Sequence, residues 1–320
     1  MTAKIIGTGS AVPEYCMKNK DFTEFIETSD EWIVTRTGIK ERRIARKETT
    51  TSLAQKAAEE ALKSAKTDAK EIELILVATC SPDTFFPSAA CQVQKALGAE
   101  NAVAFDLSAA CAGFLFAFNT AYTYINSGIY KKVLIIGADS MTRFLNWEDR
   151  GTCILFGDGA GAVVLEAAET GKVCMVQHSD GSRGGVLSCS VKYEDSMFRK
   201  QEERDSYLQM EGQEVFKFAV KTVPACIEEL LRKAEVQKEE IKYYILHQAN
   251  SRILSGVAKK LKEKEEKFPT NIEKYGNTSA ASIPILLDQM NREDLLKEGD
   301  KLVLAGFGAG LTWGSTLLEW

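Results

Sequence analysis

The chain repeats its own pattern at an offset of 169 residues, and this repeat constrains the fold more than any other feature of the sequence. In each half, an amphipathic helix, a charged turn and an apolar strand follow one another, and a glycine-rich turn later leads into a last strand. The matching segments are 51–80 with 217–249, 132–137 with 301–306 and, at a shorter spacing, 157–166 with 308–319. Three matches in the same order predict two related halves, with an insertion near 142–156 in the first half.

Strands that alternate with helices in both halves predict an α/β architecture. The strands are continuously apolar, which is typical of sheets that are covered on both faces. We therefore divide the chain into an N-terminal half, residues 1–170, and a C-terminal half, residues 171–320. A polar, charged segment near 171–212 fits neither pattern, and we expect it to form a loop-rich cap or tunnel wall.

Composition excludes several classes of function. The 320 residues carry a net charge of −5, which argues against a general nucleic-acid binder. No apolar run is long enough to insert into a membrane, and the N-terminus leads directly into a strand without a signal-peptide pattern. The eight cysteines form no CxxC pair and no zinc-like spacing. We therefore expect a cytoplasmic protein with reduced thiols and no metal.

The segment DLSAACAGF at 106–114 ends a strand and opens an apolar helix, which we predict over 109–127. With Ser108 as the N-cap, Cys111 would lie near the third helical position. Unpaired backbone N–H groups and the helix dipole at that position favour the thiolate, which is the reactive form of cysteine. Cys111 is thus a candidate nucleophile, although a small buried apolar residue is the competing interpretation.

The repeat relates further candidates to Cys111. His247 directly follows an apolar strand and Asn277 precedes a helix, so the three side chains could converge on one cleft between the halves. A core histidine and a turn-forming asparagine are the alternative interpretations. The glycine-rich segment 306–310 lacks the GxGxxG spacing and precedes a strand, so we interpret it as a close backbone approach rather than a nucleotide loop.

Seven longer motifs resemble those of the bacterial β-ketoacyl-acyl-carrier-protein synthase III family, the condensing enzymes that start type II fatty-acid synthesis. The resemblance extends over essentially the whole chain. It implies an α/β thiolase fold, with two βαβαβαββ halves related by a pseudo-twofold axis in a five-layered α-β-α-β-α arrangement. The motifs are TSDEWIVTRTGIKERR (28–43), FPSAACQVQ (86–94), DLSAACAGF (106–114), NWEDRGTCILFGDGAGA (146–162), HQANSRI (247–253), GNTSAASIP (276–284) and GFGAGLTWGS (306–315).

The resemblance implies a decarboxylative Claisen condensation. An acyl-CoA primer would acylate Cys111, and malonyl-acyl-carrier protein would then be converted to 3-ketoacyl-acyl-carrier protein, with release of coenzyme A and carbon dioxide. No cofactor is implied, because the coenzyme A thioester is a substrate. The family is homodimeric, so a second copy of the chain is an expected partner.

The resemblance also assigns residues to roles. The implied catalytic triad is Cys111, His247 and Asn277. The implied oxyanion hole consists of the backbone N–H groups of Cys111 and Gly310. The implied coenzyme A contacts are Thr28, Trp32, Arg36, Arg150, Gly212, Phe216 and Asn250. The implied acyl-pocket residues are Phe307 and Phe86, the latter reaching into the pocket of the other subunit. The implied carrier-protein contacts are Lys217, Gln248, Ala249, Asn250, Ser251, Arg252, Lys259 and Lys260.

Histidine and cysteine counts separate the related enzyme classes. Elongating condensing enzymes use two histidines, but the second histidine here, His178, lies in the loop-rich segment. Thiolases need a second catalytic cysteine late in the chain, and none follows Cys226. Type III polyketide synthases share the Cys-His-Asn set and stay as an alternative, as does a non-catalytic acyl- or carrier-binding protein. The acyl primer and the pathway are left open.

Overall fold

The computed structural model describes residues 1–190 and 207–320, in which strands and helices alternate along both halves. The strands are β1 (Thr2–Ala11), β2 (Cys16–Lys18), β3 (Glu41–Arg43), β4 (Leu74–Ala78), β5 (Val103–Leu107), β6 (Lys132–Ser140), β7 (Asp158–Ala168), β8 (Val173–Ser179), β9 (Leu187–Ser188), β10 (Gln209–Met210), β11 (Ile241–Leu246), β12 (Lys301–Gly308) and β13 (Thr312–Glu319). The α-helices are α1 (Asp30–Thr37), α2 (Thr50–Ala65), α3 (Ala89–Leu97), α4 (Gly113–Asn126), α5 (Gly212–Ala234), α6 (Ser251–Leu261), α7 (Ile272–Tyr275) and α8 (Ser282–Arg292).

Each half contributes its own central sheet. The first sheet has the strand order β1-β7-β6-β4-β5, and the second has the order β11-β12-β13-β8. The parallel pair β4–β6 corresponds to the parallel pair β11–β12. The antiparallel pairs β6–β7 and β7–β1 correspond in the same way to β12–β13 and β13–β8. The prediction of two related α/β halves is confirmed by these registers.

The two sheets enclose α4 and α8, whose side chains fill one core together with residues of both sheets, such as Leu76 and Leu304. Helices α2 and α3 cover the outer face of the first sheet. Helices α5 and α6 cover the outer face of the second. This order gives the five layers that were expected, and it buries α4 nearly all round, as its apolar sequence predicts.

The helices of the middle layer begin in the same unusual way. A 3₁₀ turn, Ala110–Ala112 before α4 and Ser279–Ala281 before α8, precedes each helix. Each turn starts with a left-handed residue, Ala110 with φ 45° and Ser279 with φ 51°, and these two positions are 169 residues apart. The strained backbone thus marks the two equivalent helix starts, which is where functional residues often lie.

The predicted boundaries of the first of these helices were wrong at its start. The α-helix begins at Gly113 rather than at 109, and the 3₁₀ turn before it has Ala109 at its N-cap without a side-chain capping hydrogen bond. Ser108 is therefore not the cap. The left-handed Ala110 redirects the chain before the helix, so Cys111 lies inside the 3₁₀ turn.

Because of two insertions, the two halves are not strictly symmetric. The strands β6 and β7 are joined by residues 141–157, whereas β12 and β13 are joined by 309–311 alone, so the insertion predicted near 142–156 is confirmed. The segment 171–212 is not only loop, because β8 within it forms an edge of the second sheet. Residues 191–206 of that segment lie outside the described residues, so the expected cap is described only in part.

Across residues 1–190 and 207–320, no helix has both the length and the apolar character needed to cross a bilayer. In the same residues, no cluster of three or more histidine, cysteine, aspartate or glutamate side chains is arranged to hold a metal ion. All eight cysteines are free thiols.

Candidate active site

Residues from both halves line one cavity of about 830 Å³, and Cys111, His247 and Asn277 are among them. Cys111 lies in the turn before α4, His247 directly follows β11, and Asn277 lies between α7 and α8. Asn277 is fixed by its backbone, whose N–H donates to Leu155 O at 2.9 Å and whose carbonyl accepts from Gly157 N at 3.0 Å. The three candidate residues predicted from the sequence therefore line one cleft.

The Cys111 thiol is buried, and burial raises its pKa to about 11. A hydrogen bond from the Ser279 hydroxyl lowers the pKa, and the Asp139 carboxylate raises it further. The expectation that the helix start favours a resting thiolate is not supported, because desolvation of the charged form outweighs the local hydrogen bonds. In the free protein, Cys111 is a protonated thiol at neutral pH.

Alkylation of Cys111 by iodoacetamide should therefore become faster by about tenfold per pH unit between pH 7 and pH 9, because only the thiolate reacts and its fraction rises with pH below the pKa. Peptide mass spectrometry of the Cys111 peptide measures this rate without interference from the other cysteines. A rate that stops rising below pH 8 would show that the thiolate is stabilised in the free protein.

His247 is buried, and its ring is held from two sides. Its Nδ1 lies 2.6 Å from Ser282 Oγ, and Phe307 packs edge-on at 5.2 Å between ring centroids. Burial lowers the pKa of His247 to about 3, so the ring is neutral near pH 7. A neutral imidazole carries one donor and one acceptor nitrogen, so it can donate one hydrogen bond into the cavity.

Asn277 can supply a second hydrogen-bond donor beside that of His247. Its Oδ1 accepts a hydrogen bond from Ser279 N at 2.9 Å. Because the oxygen is engaged, the Nδ2 amide group is the polar end available to a ligand in the cavity. His247 and Asn277 can thus both donate hydrogen bonds to one oxygen atom beside Cys111, an arrangement that stabilises developing negative charge.

The glycine-rich segment approaches Cys111 closely, as predicted. A Cβ atom at Gly308 would lie 2.8 Å from Cys111 N and 3.0 Å from its Cβ, so only glycine fits without a shift. Gly310, the implied oxyanion-hole residue, lines neither cavity described here. The Leu311 N–H donates to Asp180 O at 2.9 Å, and Ala309 lines a cavity together with Cys111.

A second cavity of about 490 Å³ meets the first at Cys111. Its walls are mainly apolar, with Met141, Leu187 and Leu208 among them. Sequence reasoning did not identify these three residues, because they lie in or beside elements too short to show a periodic pattern. Phe307, which was assigned to an acyl pocket, lines the larger cavity beside His247 instead. Phe86 is 87% exposed in the single chain and lines neither cavity.

The far end of the larger cavity is cationic and aromatic. The guanidinium groups of Arg36 and Arg150 lie 4.3 Å and 4.5 Å from the centroid of the Trp32 ring. Planar cations over an aromatic face suit a flat, anionic ligand such as a nucleotide. Gly212, Phe216 and Asn250 line the same cavity. Thr28 does not line it, and its buried hydroxyl has no hydrogen-bond partner.

Basic side chains are exposed on the two helices, α5 and α6, that border this cavity. Lys217, Arg252, Lys259 and Lys260 are exposed on α5 and α6, and Lys217 and Arg252 also line the cavity. Ala249, Asn250 and Ser251 are partly exposed between them. Gln248 is a correction to the implied docking set, because it is 1% exposed and its side chain is bound to Leu246 O and the Thr270 hydroxyl.

Family models match the two segments of the chain that carry Cys111, His247 and Asn277. Residues 105–181 match the family model "3-Oxoacyl-[acyl-carrier-protein (ACP)] synthase III", and residues 231–320 match the corresponding C-terminal model. Cys111 lies in the first range, and His247 and Asn277 lie in the second. The β-ketoacyl-[acyl-carrier-protein] synthase III of Clostridium novyi (strain NT) is 47% identical over 319 residues, which cover 99% of this chain and 98% of that protein.

Solved structures agree with the sequence comparisons. The 3-oxoacyl-[acyl-carrier-protein] synthase III from Aquifex aeolicus VF5 has a TM-score of 0.94 and 45% identity, with 99% of this chain and 100% of that chain covered. The priming β-ketosynthase from the R1128 polyketide biosynthetic pathway has a TM-score of 0.93 and 34% identity, with 99% and 96% covered.

Proposed function

This chain belongs to the 3-oxoacyl-[acyl-carrier-protein] synthase III family, and we propose that it condenses an acyl-coenzyme A primer with malonyl-acyl-carrier protein. It is a condensing acyltransferase of the thiolase fold, and its reaction initiates fatty-acid synthesis. The observation that carries the proposal is that Cys111, His247 and Asn277 line one cavity while Cys111 also borders a second, apolar one. One nucleophile can thus hold an acyl chain on one side and face an incoming thioester on the other.

In the first half-reaction, the Cys111 sulfur attacks the thioester carbonyl of the acyl-coenzyme A. The carbon–sulfur bond to coenzyme A breaks, the acyl group stays on Cys111, and the thiol proton ends on the coenzyme A sulfur. Trp32, Arg36 and Arg150 would hold the nucleotide end. The backbone N–H of Cys111 would stabilise the oxyanion, and a second N–H group would come from the turn 308–310, of which Ala309 lines the smaller cavity.

In the second half-reaction, malonyl-acyl-carrier protein enters the larger cavity. The malonyl thioester carbonyl would accept hydrogen bonds from His247 Nε2 and Asn277 Nδ2. These bonds stabilise the enolate that forms as carbon dioxide leaves, so no general base is needed. The enolate carbon attacks the acyl-Cys111 carbonyl, the carbon–sulfur bond to Cys111 breaks, and the sulfur regains a proton from solvent.

The exposed aromatic residues support a homodimer, in which Phe86 of one copy would complete the acyl pocket of the other. Phe85 and Phe86 are 75% and 87% exposed in the single chain, and Phe85 lines the smaller cavity. Large exposed aromatic side chains are typical of interfaces. The free thiols fit a cytoplasmic enzyme.

Charge reversal on α6 tests the proposed carrier-protein contact. We expect Arg252→Glu and Lys259→Glu each to raise the KM for malonyl-acyl-carrier protein by about tenfold at low salt, because basic side chains at the rim attract an acidic partner. The difference should shrink as salt is added. Lys95→Glu, on α3 at the opposite outer layer, is the matched control. Equal effects of all three variants would argue against docking at α6.

A two-step mass-spectrometric assay tests the proposed function as a whole. The protein is mixed with a panel of acyl-coenzyme A donors and then with either malonyl-acyl-carrier protein or malonyl-coenzyme A. We expect acylation at Cys111, followed by 3-ketoacyl product on the carrier protein, and the most reactive donor identifies the primer. Condensation with malonyl-coenzyme A alone would favour a polyketide-type enzyme, and no acylation by any donor would favour a non-catalytic binding protein.

A further inference from the structure

Ser282, the first residue of α8, is hydrogen-bonded to the ring of His247. Its Oγ lies 2.6 Å from His247 Nδ1. The serine is 3% exposed and the histidine 1%, so water does not compete for this hydrogen bond. Among the described residues, the Ser282 hydroxyl is the hydrogen-bond partner found at Nδ1.

The surroundings of Ser282 indicate the direction of this hydrogen bond. The backbone N–H of Gln248 also donates to Ser282 Oγ, at 3.3 Å. A serine hydroxyl has one hydrogen to donate and two lone pairs that accept. Gln248 N–H takes one lone pair, and among the described residues no acceptor besides His247 Nδ1 is found for the hydroxyl hydrogen, so this hydrogen can point at Nδ1, which then acts as the acceptor. In that arrangement the single proton of the neutral ring would lie on Nε2.

The internal repeat shows that the fold itself does not require this pair. His247 and Ser282 correspond, at the offset of 169, to Ala78 and Gly113 in the first half. There the contact is apolar packing only, since a Cβ at Gly113 would lie 3.2 Å from the Ala78 Cβ. The same backbone arrangement thus forms without a hydroxyl or an imidazole. The polar pair is present only in the half that supplies His247 to the cavity.

We propose that Ser282 is a positioning residue that holds His247 in the Nε2–H tautomer, so that the nitrogen available to the cavity donates a hydrogen bond to the malonyl thioester. This inference rests on the proposed function for its catalytic consequence, but the tautomer is a property of the free protein. The opposite tautomer would direct a lone pair of Nε2 towards the enolate oxygen, which would repel rather than stabilise it. Ser282 itself acts through His247 and touches no substrate.

The tautomer can be measured directly, because the chain has only two histidines. His178 is 39% exposed at its side chain, pairs with Glu229 and lies outside the cavities, so His178→Gln leaves one imidazole to observe. We would record nitrogen NMR spectra of the full-length protein with ¹⁵N-labelled histidine rings. We expect the Nε2–H pattern in the His178→Gln protein, and a shift towards Nδ1–H when Ser282→Ala is added. An Nδ1–H pattern in the first protein, or an unchanged pattern in the second, would overturn the proposal.

Kinetics supply the catalytic readout. We expect Ser282→Ala to slow malonyl decarboxylation by about 10- to 100-fold, the range that follows the loss of a hydrogen bond orienting a metal-bound histidine. Acylation of Cys111 should change by less than about threefold, since it does not use the histidine donor. Ser282→Thr keeps the hydroxyl and should restore most of the decarboxylation. Equal losses in both half-reactions, or no loss in decarboxylation, would contradict the positioning role.

The two readouts also separate this inference from the proposed function. A wild-type protein that neither accepts an acyl group nor decarboxylates malonyl thioesters would refute the proposed function. The NMR spectrum of the unaltered Ser282 site would still decide the tautomer, and it does not depend on whether Ser282→Ala folds. A protein that is active but carries the Nδ1–H tautomer would refute the inference alone.

Discussion

Replacing Cys111 with alanine is expected to abolish acylation of the protein by every acyl-coenzyme A donor, while malonyl decarboxylation continues. The covalent intermediate needs the sulfur atom of Cys111, so the adduct should disappear with it. In the proposed mechanism, decarboxylation depends instead on the hydrogen bonds of His247 and Asn277, which this substitution leaves in place. Intact-mass spectrometry measures the acyl adduct, and carbon dioxide release measures decarboxylation.

Cys80 offers a matched control for this experiment. It lines the smaller cavity together with Cys111. However, its thiol lies 3.5 Å from Asp139 Oδ1, and burial together with that carboxylate raises the pKa of Cys80 well above its usual range. It should be unreactive, so Cys80→Ala should keep the acyl adduct. An adduct that persists in Cys111→Ala, or is lost in Cys80→Ala, would reassign the nucleophile.

The arrangement of the halves could be predicted from the sequence because it depends on repeated patterns. Apolar runs such as 132–137 and 301–306 specify buried strands, and their common offset specifies equivalent places in two sheets. The same logic located Cys111, His247 and Asn277, since each lies at the end of a repeated strand or the start of a repeated helix. Side chains at equivalent ends of related halves can meet at one cleft.

Other properties of the site depend on features that have no sequence periodicity. The raised pKa of Cys111 depends on how completely α4, α8 and the glycine-rich segment exclude water, which spacing does not reveal. Met141, Leu187 and Leu208 line the smaller cavity, and they lie in segments that have no counterpart in the internal repeat. Gln248 adjoins the exposed motif but turns inward, because Leu246 O and Thr270 satisfy its amide.

Replacing Asn277 with alanine should produce the opposite pattern to Cys111→Ala. We expect malonyl decarboxylation and condensation to fall by about 100- to 1,000-fold, which is the usual cost of removing one donor that stabilises an oxyanion. Acylation of Cys111 should stay within about threefold, because in the proposed mechanism the amide binds the malonyl thioester and takes no part in the attack of the sulfur. Single-turnover measurements of each half-reaction separate the two effects.

Asn271→Ala is the matched control for Asn277→Ala. Asn271 is also a buried asparagine on the same segment, but its amide donates to Gln289 and it does not line the cavity. It should lower stability without changing the ratio of the two half-reactions. If Asn277→Ala slows acylation and decarboxylation equally, Asn277 shapes the cavity as a whole and does not act as an enolate donor. If Cys111→Ala loses acylation alone and Asn277→Ala loses decarboxylation alone, the two chemical steps are assigned to the two halves of the chain. Cys111 belongs to the first half and Asn277 to the second.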